Sequence, residues 1–167
     1  MEINDGKVKE YDHNKLSFEG EYLKGKKWNG KGYNYDGNCV FEIKDGKGYV
    51  KEYYDGKLRF EGEYLNGERN GKGKEYEDDG TLRFEGEYLN GKKNGKGKEY
   101  DYDGKLRFEG EYLNGEKWNG KGKEYNYHCK SSYEGEFLNG KWNGKGKEYD
   151  YDGKLKFEGE YFNGERW

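Results

Sequence analysis

One motif recurs from end to end of this sequence and limits what the chain can fold into. It is an aromatic residue followed by Glu-Gly-Glu, and the aromatic positions are Phe18, Phe60, Phe84, Phe108, Tyr133 and Phe157. From Phe60 onward the steps between them are 24, 24, 25 and 24 residues. A fixed period of this length is typical of repeat architectures, in which each unit packs only on its neighbours.

The repeats divide the chain into a single array that covers residues 1–167. No shift in composition marks a linker, so we expect one domain. The second repeat is degenerate, because it is several residues short and has Phe41-Glu42-Ile43-Lys44 at the motif. The predicted boundaries are a half repeat at 1–15, repeats at 16–38, 39–57, 58–81, 82–105, 106–130 and 131–154, and a half repeat at 155–167.

The composition predicts an ordered chain with a thin core. Charged residues make up 40% of it and hydrophobic residues only 29%, proportions that often accompany disorder. Against disorder, the net charge is only -3 and the aromatic residues fall at fixed positions. Lysines and arginines have acidic neighbours throughout, so the basic patch of a nucleic-acid binder and the basic cluster of a membrane-surface binder are both missing.

The cysteines and the absence of targeting signals favour an intracellular, cytoplasmic protein. The sequence has neither a signal peptide at its start nor an apolar run long enough for a transmembrane helix. With only Cys39 and Cys129, a disulfide framework is not indicated. The two lie in different repeats, on the order of 35 Å apart in a stacked array, and a disulfide between them is therefore not expected.

The residue pattern within each repeat predicts two short antiparallel strands. In repeat 82–105, apolar and charged residues alternate from Leu82 to Tyr88, and a glycine-rich alternating stretch follows from Gly95 to Tyr102. Asn-Gly pairs at 90–91 and 94–95 predict a loop between these strands, and Asp103-Gly104 predicts a hairpin turn to the next repeat. Helices are not expected, because glycine recurs too often. The predicted fold is all-β, an elongated single-layer antiparallel sheet of successive hairpins resembling a β-solenoid rod.

The pairing at the Asp103-Gly104 turn has two interpretations. A two-residue turn pairs Lys98 with Glu109, whereas a three-residue turn shifts the register by one residue and places Tyr100 beside Leu106. Cross-strand pairs contribute only roughly 0.2–1 kcal/mol each, so charge pairing does not choose between them. A β-bulge near Lys98-Glu99 would satisfy both patterns, and the register stays open on the sequence alone.

The repeat resembles the MORN (membrane occupation and recognition nexus) family. The residues that carry the resemblance are Phe84-Glu85-Gly86-Glu87-Tyr88, Asn90-Gly91-Lys92, Gly95-Lys96-Gly97 and Asp103-Gly104, and their equivalents recur along nearly the whole chain. Two departures are the use of Phe and Tyr where the family has Tyr and Trp, and one extra residue after Asp-Gly. A bacterial repeat family associated with toxin–antitoxin systems has a similar spacing, but carries a tryptophan where Gly97 stands here.

The resemblance implies a scaffold made of hairpins. Family members oligomerise, bind partner peptides and have been suggested to bind phospholipids. We therefore expect a non-enzymatic protein that binds a protein partner or itself and needs no cofactor. The alternatives are an adaptor that associates with phospholipid membranes and an antitoxin-like repeat protein.

Three features imitate catalytic or metal sites and are interpreted as structural. The Glu85/Glu87 pair has a glycosidase-like separation of about 7 Å, but it recurs in every well-formed repeat and so indicates a charge ladder. The acidic run around Asp101 resembles the start of a calcium loop that lacks its closing glutamate. His128 and Cys129 are adjacent on an extended segment, so they point to opposite faces and lack the geometry of a nucleophile and its base. No catalytic or metal-binding residue is therefore predicted.

Two groups of aromatic residues are the candidate interaction sites. The first comprises three tryptophans that each precede an Asn-Gly pair, Trp28, Trp118 and Trp142. These indoles are either exposed anchors for a partner or covers for a neighbouring loop. The second lies in the final half repeat, whose unpaired strand predicts self-association or the addition of a partner strand, and comprises Tyr161, Phe162 and Trp167.

Overall fold

The computed structural model describes residues 5–126 and 131–167, and all regular secondary structure in these ranges is β-strand. This confirms the all-β prediction. The alternation of apolar and charged residues sets the strands, because one face of each is covered by rings and the other is solvated. The strands are β1 (Gly6–Asp12), β2 (Lys15–Leu23), β3 (Lys26–Tyr33), β4 (Cys39–Ile43), β5 (Gly48–Tyr54), β6 (Lys57–Leu65), β7 (Glu68–Tyr76), β8 (Leu82–Leu89), β9 (Lys92–Tyr100), β10 (Leu106–Leu113), β11 (Glu116–Asn126), β12 (Ser131–Leu138), β13 (Lys141–Tyr149), β14 (Leu155–Phe162) and β15 (Glu165–Arg166).

The chain forms two compact units, residues 1–92 and 93–167. In the first unit, β1 to β4 form one sheet in sequence order, and β5 to β8 pair in the same consecutive way. In the second unit, β9 to β15 pair consecutively. All the pairings in both units are antiparallel, so each unit is a series of hairpins, as predicted.

The hairpin inside each repeat has a two-residue turn. In repeat 106–130, Asn114 and Gly115 have φ angles of 53° and 98°, the left-handed conformation that a tight hairpin turn needs at both positions. The predicted longer loop that included the second Asn-Gly pair is wrong. That pair lies within the second strand, where Trp118 is an extra residue between Lys117 and Asn119 and forms a bulge.

The hairpin between repeats combines the two registers that the sequence left open. A three-residue loop sets Tyr100 opposite Leu106. Arg107 is then an extra residue on β10, and beyond it Glu109 lies opposite Lys98. The predicted bulge near Lys98-Glu99 is therefore present, and its extra residue is Arg107 on the opposite strand. It restores the charge pairing that a two-residue turn alone would have given.

The core of each unit consists of aromatic rings that lie on the glycines of their own sheet. Phe108 is 1% exposed, and its ring covers the facing glycines Gly110 and Gly120. Phe18, Phe60, Phe84 and Tyr133 are buried in the equivalent positions. A single layer can therefore bury its large side chains without a second layer, because glycine leaves room for the rings.

A hydrogen-bonded clasp links consecutive turns along one side of each unit. The Asn139 N–H donates to the side-chain oxygen of Asn119 at 3.0 Å, and the Gly140 N–H donates to the Trp118 carbonyl at 2.8 Å. The same pair of bonds joins the Asp45-Gly46 turn to Trp28 and Asn29. The two Asn-Gly pairs of a repeat thus have different roles, since the first forms the turn and the second receives the next turn.

The degenerate repeat 39–57 contains a break between sheets within the first unit. After β4 the chain makes only an isolated bridge between Lys44 and Lys47 before β5 begins the next sheet. A cluster of buried apolar side chains fills this region and consists of Phe18, Phe41, Ile43 and Val50. Ile43 and Val50 are aliphatic residues at positions where the regular repeats have no aliphatic side chain. Loss of the regular motif is therefore compensated locally by aliphatic packing.

Candidate interaction surface

A group of four side chains, here called the carboxylate node, recurs on the ring-covered face. In the node around Glu99, the Tyr112 hydroxyl donates to the carboxylate at 3.1 Å and the Lys117 ammonium lies 3.0 Å from it. The same ammonium lies over the Phe108 ring, 5.2 Å from its centroid. Glu99, Tyr112 and Lys117 come from three successive strands, so the node ties one repeat to the next.

Three further nodes have the same composition. Each has a glutamate, a tyrosine hydroxyl that donates to it, a basic side chain paired with it and a phenylalanine ring under the cation. The distances from cation to ring centroid run from 4.0 to 4.7 Å. The sets are Glu10, Tyr22, Lys27 and Phe18; Glu52, Tyr64, Arg69 and Phe60; and Glu148, Tyr161, Arg166 and Phe157.

The node around Glu52 shows how these groups influence one another. Burial raises the pKa of the Glu52 carboxyl, but the hydrogen bonds and charge of Arg69 outweigh it and leave that pKa below its usual range. Burial and the adjacent carboxylate both raise the pKa of the Tyr64 hydroxyl. Glu52 is therefore ionised and Tyr64 neutral at pH 7, which makes the node an ion pair with a hydroxyl donor.

The node of repeat 131–154 is built differently. Trp142 stands where the other nodes have a lysine or arginine, and its ring stacks on Tyr133 with centroids 4.4 Å apart and planes at 3°. The indole N–H donates to Glu124 at 2.7 Å. Phe137 replaces the tyrosine that would otherwise donate to the same carboxylate. An indole donor thus takes the place of both a hydroxyl and a cation.

The three tryptophans singled out from the sequence fall into two classes. Trp28 and Trp118 are each the third residue after the turn, whereas Trp142 is the second. Trp28 and Trp118 are also the bulged residues of their strands. The Trp28 ring lies against the next turn at Gly46, and the Trp118 ring lies beside the next turn at Gly140. These two positions match the interpretation that each indole covers a neighbouring loop, while Trp142 belongs to a node.

The residues of the last half repeat are also separated by the structure. Tyr161 is 2% exposed and donates its hydroxyl to Glu148, so its side chain is part of the core. Phe162 and Trp167 are exposed and pack on each other with ring centroids 5.6 Å apart. Of the three, these two remain available to a partner.

The opposite face of each unit is a ladder of paired charges. Lys98 lies 3.2 Å from Glu109, and Lys123 lies 3.1 Å from Glu134. The glutamates come from the first strand of a repeat and the lysines from the second strand of the repeat before. Because the pairs are exposed, each contributes little to stability and the face carries little net charge.

A row of exposed apolar side chains accompanies the ladder on that face. Each of these side chains comes just before the turn inside its repeat and directly after a residue of the ring-covered face. Because successive side chains of a strand point to opposite faces, it lies on the face of the charge ladder. We call these residues the edge row. In the first unit they are Leu23, Leu65 and Leu89, and in the second they are Leu113, Leu138 and Phe162.

The features that imitate enzyme or metal sites are placed as follows. Glu85 lies opposite Lys74 in the charge ladder. The Asp101 carboxylate accepts the backbone N–H groups of Asp103 and Lys105 at 3.0 and 2.9 Å, so it caps the hairpin turn. His128 and Cys129 lie outside the described residues. Within 5–126 and 131–167, no three potential ligands cluster closely enough to hold a metal ion.

Two other observations concern the predicted environment of the chain. Cys39 is a free, exposed cysteine. Cys129 lies outside the described residues, so the predicted distance between the two cysteines stays a prediction. Among the described residues, no helix is long and apolar enough to cross a membrane. The cytoplasmic location stays a prediction.

The carboxylate nodes were not predicted from the sequence, although a signal for them exists. In every well-formed repeat a glutamate follows Gly-Lys-Gly-Lys, and a basic residue or Trp142 comes second after the next Asn-Gly turn. Glu10 and Glu52 follow related sequences in which the second glycine is Val8 or Val50. Counting from that turn separates Trp142 from Trp28 and Trp118. When the three tryptophans are aligned on the Asn-Gly pair that follows each of them, they look equivalent and this difference in position is lost.

Comparison with known proteins agrees with this architecture. The family model of the MORN repeat matches residues 60–81, 84–105 and 133–154. Each matched segment begins in the first strand of a repeat and reaches the turn that leads to the following one. No curated protein matches the chain. These three segments are MORN repeats.

Proposed function

We propose that this chain is a non-enzymatic scaffold that binds a protein partner through the edge row. MORN repeats are associated with protein and membrane-lipid interactions, and of these two we propose a protein interaction. A repeated, open surface suits a macromolecular partner better than a small substrate, which needs an enclosed site with convergent polar groups.

The exposure of the edge row is the observation that carries the proposal. Leu113, Leu138 and Phe162 are 40, 48 and 61% exposed, on a face otherwise made of charged pairs. They lie at the same point of β10, β12 and β14, so their spacing is about 10 Å, two strand separations. Regularly spaced apolar side chains within a polar surround are the arrangement of an interface core and rim.

Two variants of the full-length chain test the role of the edge row. The first carries Leu113→Lys and Leu138→Lys. The second, a matched control, carries Leu106→Lys and Leu155→Lys, which are equally exposed but lie at the opposite ends of their strands. A partner identified by crosslinking in cells is purified and titrated with each protein. We expect the first variant to lose binding and the control to retain it, with both melting as the wild type does.

The same proteins separate the alternative functions. Sedimentation with vesicles containing anionic phospholipid, abolished by the first variant without any protein partner, would favour the membrane adaptor instead. Self-association through β14 is a further form of the proposal, since β15 pairs with β14 only at Tyr161 and Phe162. Light scattering over a range of concentrations detects it. A cognate toxin among the crosslinked proteins would favour the antitoxin-like role.

A further inference from the structure

The node of repeat 131–154 differs from the four nodes described above in one chemical respect. In those four, a lysine or arginine of the chain itself lies over a ring and pairs with a glutamate. In this repeat the glutamate is Glu124, and its partner is the neutral indole of Trp142. The cation that accompanies this carboxylate elsewhere in the chain is therefore replaced by a ring.

The charge of Glu124 is consequently left without a neutralising neighbour in this node. Across residues 5–126 and 131–167, no lysine or arginine is paired with its carboxylate. Glu124 is exposed, and the indole N–H that it accepts occupies one of its several acceptor positions. Complete nodes have two donors at the same place, a hydroxyl and a cation.

Trp142 presents an aromatic surface beside this carboxylate. One face of the indole is covered by the parallel ring of Tyr133, and the Tyr161 ring meets it edge-on with centroids 6.0 Å apart. The indole itself is half-buried. Tryptophan has the strongest attraction for a cation among the aromatic side chains, and a cation over the face opposite Tyr133 would also be within reach of a carboxylate bonded to its N–H.

We propose that Glu124 and the face of Trp142 opposite Tyr133 bind an arginine side chain that a partner protein presents. The arginine supplies to Glu124 the positive charge that Lys27, Arg69, Lys117 and Arg166 supply in the complete nodes, but it lies over the indole that occupies their place. A guanidinium fits this site better than an ammonium, because it is planar, stacks on a ring and still offers N–H groups to the carboxylate. The inference rests on the proposed function, since it names the chemistry of the partner, but it concerns the ring-covered face and not the edge row.

The binding test uses the full-length protein and a capped arginine, N-acetyl-arginine methylamide. The probe is titrated while the indole N–H resonances are followed by NMR. We expect the Trp142 resonance to shift and saturate, with Trp28 and Trp118 unchanged. The neutral isostere, capped citrulline, should leave all three in place. Equal shifts with arginine and citrulline, or no shift at Trp142, would overturn the proposal.

Two variants assign the binding to this node. Trp142→Lys with Phe137→Tyr rebuilds the complete node of the other repeats, and should melt like the wild type while no longer binding capped arginine, as followed on the probe's own signals. Glu124→Gln keeps an acceptor for the indole and removes the charge, so it should weaken binding at least about tenfold, or roughly 1.4 kcal/mol. Trp118→Lys is the control and should bind as the wild type does. Unchanged binding by Glu124→Gln would overturn the proposal even if the double variant fails to fold.

The outcome is distinguishable from that of the proposed function. Capped arginine reports on Glu124 and Trp142 alone, whereas capture of the whole partner also depends on Leu113 and Leu138. Arginine binding without capture of any partner would contradict the scaffold function and leave the site in place. Partner binding that is unaffected by Glu124→Gln would contradict the site and leave the scaffold function in place.

Discussion

At the scale of single residues, the paired glycines are what allows a one-layer sheet to have a core. A β-carbon on Gly110 would overlap the Asn119 carbonyl oxygen and lie 2.7 Å from the Gly120 Cα and 2.9 Å from the Phe108 ring. Two of these neighbours are backbone, which cannot move without disturbing the strand pairing. The third neighbour is the buried ring of Phe108, which covers the glycine pair.

We expect Gly110→Ala to destabilise the protein by about 3 kcal/mol, because it overpacks a site bounded by backbone. The control is Gly153→Ala, where a β-carbon meets nothing within 4 Å and only the φ of 76° opposes the change. That variant should lose about 1 kcal/mol. Chemical denaturation gives both free energies of unfolding. Equal losses would show that close packing at Gly110 is not what the fold depends on.

The node around Glu52 makes a prediction about pH. In the folded protein the Glu52 pKa is below its unfolded value of about 4.3, so the node stabilises the fold above that pH and the contribution is lost as the pH falls through the folded pKa. Arg69→Met removes the main cause of the lowering and leaves a half-buried carboxylate unpaired. We expect it to lose about 2 kcal/mol at pH 7.

Melting temperatures measured from pH 7 to pH 3 test this assignment. Without Arg69, burial raises the Glu52 pKa, and protonation in acid relieves the unpaired charge. The deficit of Arg69→Met relative to the wild type should therefore shrink as the pH falls. Arg83→Met is the control, because Arg83 is exposed and pairs loosely with Glu77 at 3.6 Å, and its effect should stay within about 0.5 kcal/mol. A deficit that is constant across the range would place the role of Arg69 in packing on Phe60.

At the scale of secondary-structure elements, the clasp between turns explains why each of the four well-formed repeats carries two Asn-Gly pairs. Asn119→Ala removes the acceptor for the Asn139 N–H, and we expect a loss of about 1 kcal/mol. Asn143→Ala is a matched control, since the Asn143 oxygen accepts from its own neighbour Gly144 at 2.9 Å. It should cost less than half as much. Denaturation of the two variants side by side decides whether the clasp stabilises the array.

The strands were predictable from the sequence because their signals are local. Alternation from Leu82 to Tyr88 and the Asp103-Gly104 turn depend on neighbouring residues, and both gave the correct element. The register was not predictable, because it depends on where an extra residue is accommodated. Arg107 and Glu99 are equally plausible bulges in the sequence, and only the backbone geometry of the three-residue loop selects Arg107.

The candidate site was predictable only in part, for a related reason. The sequence identified Trp142 as unusual, but the chemistry of its position depends on Glu124, Tyr133 and Phe137, which lie on other strands. Residues that are 18 apart, such as Glu124 and Trp142, meet only once the hairpins are in register. A pattern defined within one repeat therefore misses a site shared between two.

At the scale of the whole molecule, the elongated shape remains a prediction from the number of repeats. Hairpins added edge to edge at about 4.8 Å per strand give a length of roughly 65 Å. A compact protein of 167 residues has a radius of gyration of roughly 15 Å. Small-angle scattering should give a value clearly above this, with a distance distribution skewed to long separations. A symmetrical distribution near the compact value would contradict the prediction.

The balance of charge over the whole chain predicts how stability responds to salt. At pH 7 the net charge is -3, and lysines and glutamates of the ladders are paired, so self-repulsion is small. Raising salt to 1 M, where the Debye length is about 3 Å, screens weak attractions and weak repulsions alike. We therefore expect the melting temperature at pH 7 to change little with salt.

Below the carboxylate pKa values the same chain should respond strongly. Protonation of the 35 acidic residues leaves 32 lysines and arginines and two histidines charged, and each ladder then presents rows of like charge. Self-repulsion destabilises the fold, and salt should restore part of the lost melting temperature because it screens that repulsion. Melting curves at pH 7 and pH 3, each with and without 1 M salt, test this. A large salt effect at pH 7, or none at pH 3, would mean that the ladders do not govern the electrostatics of the molecule.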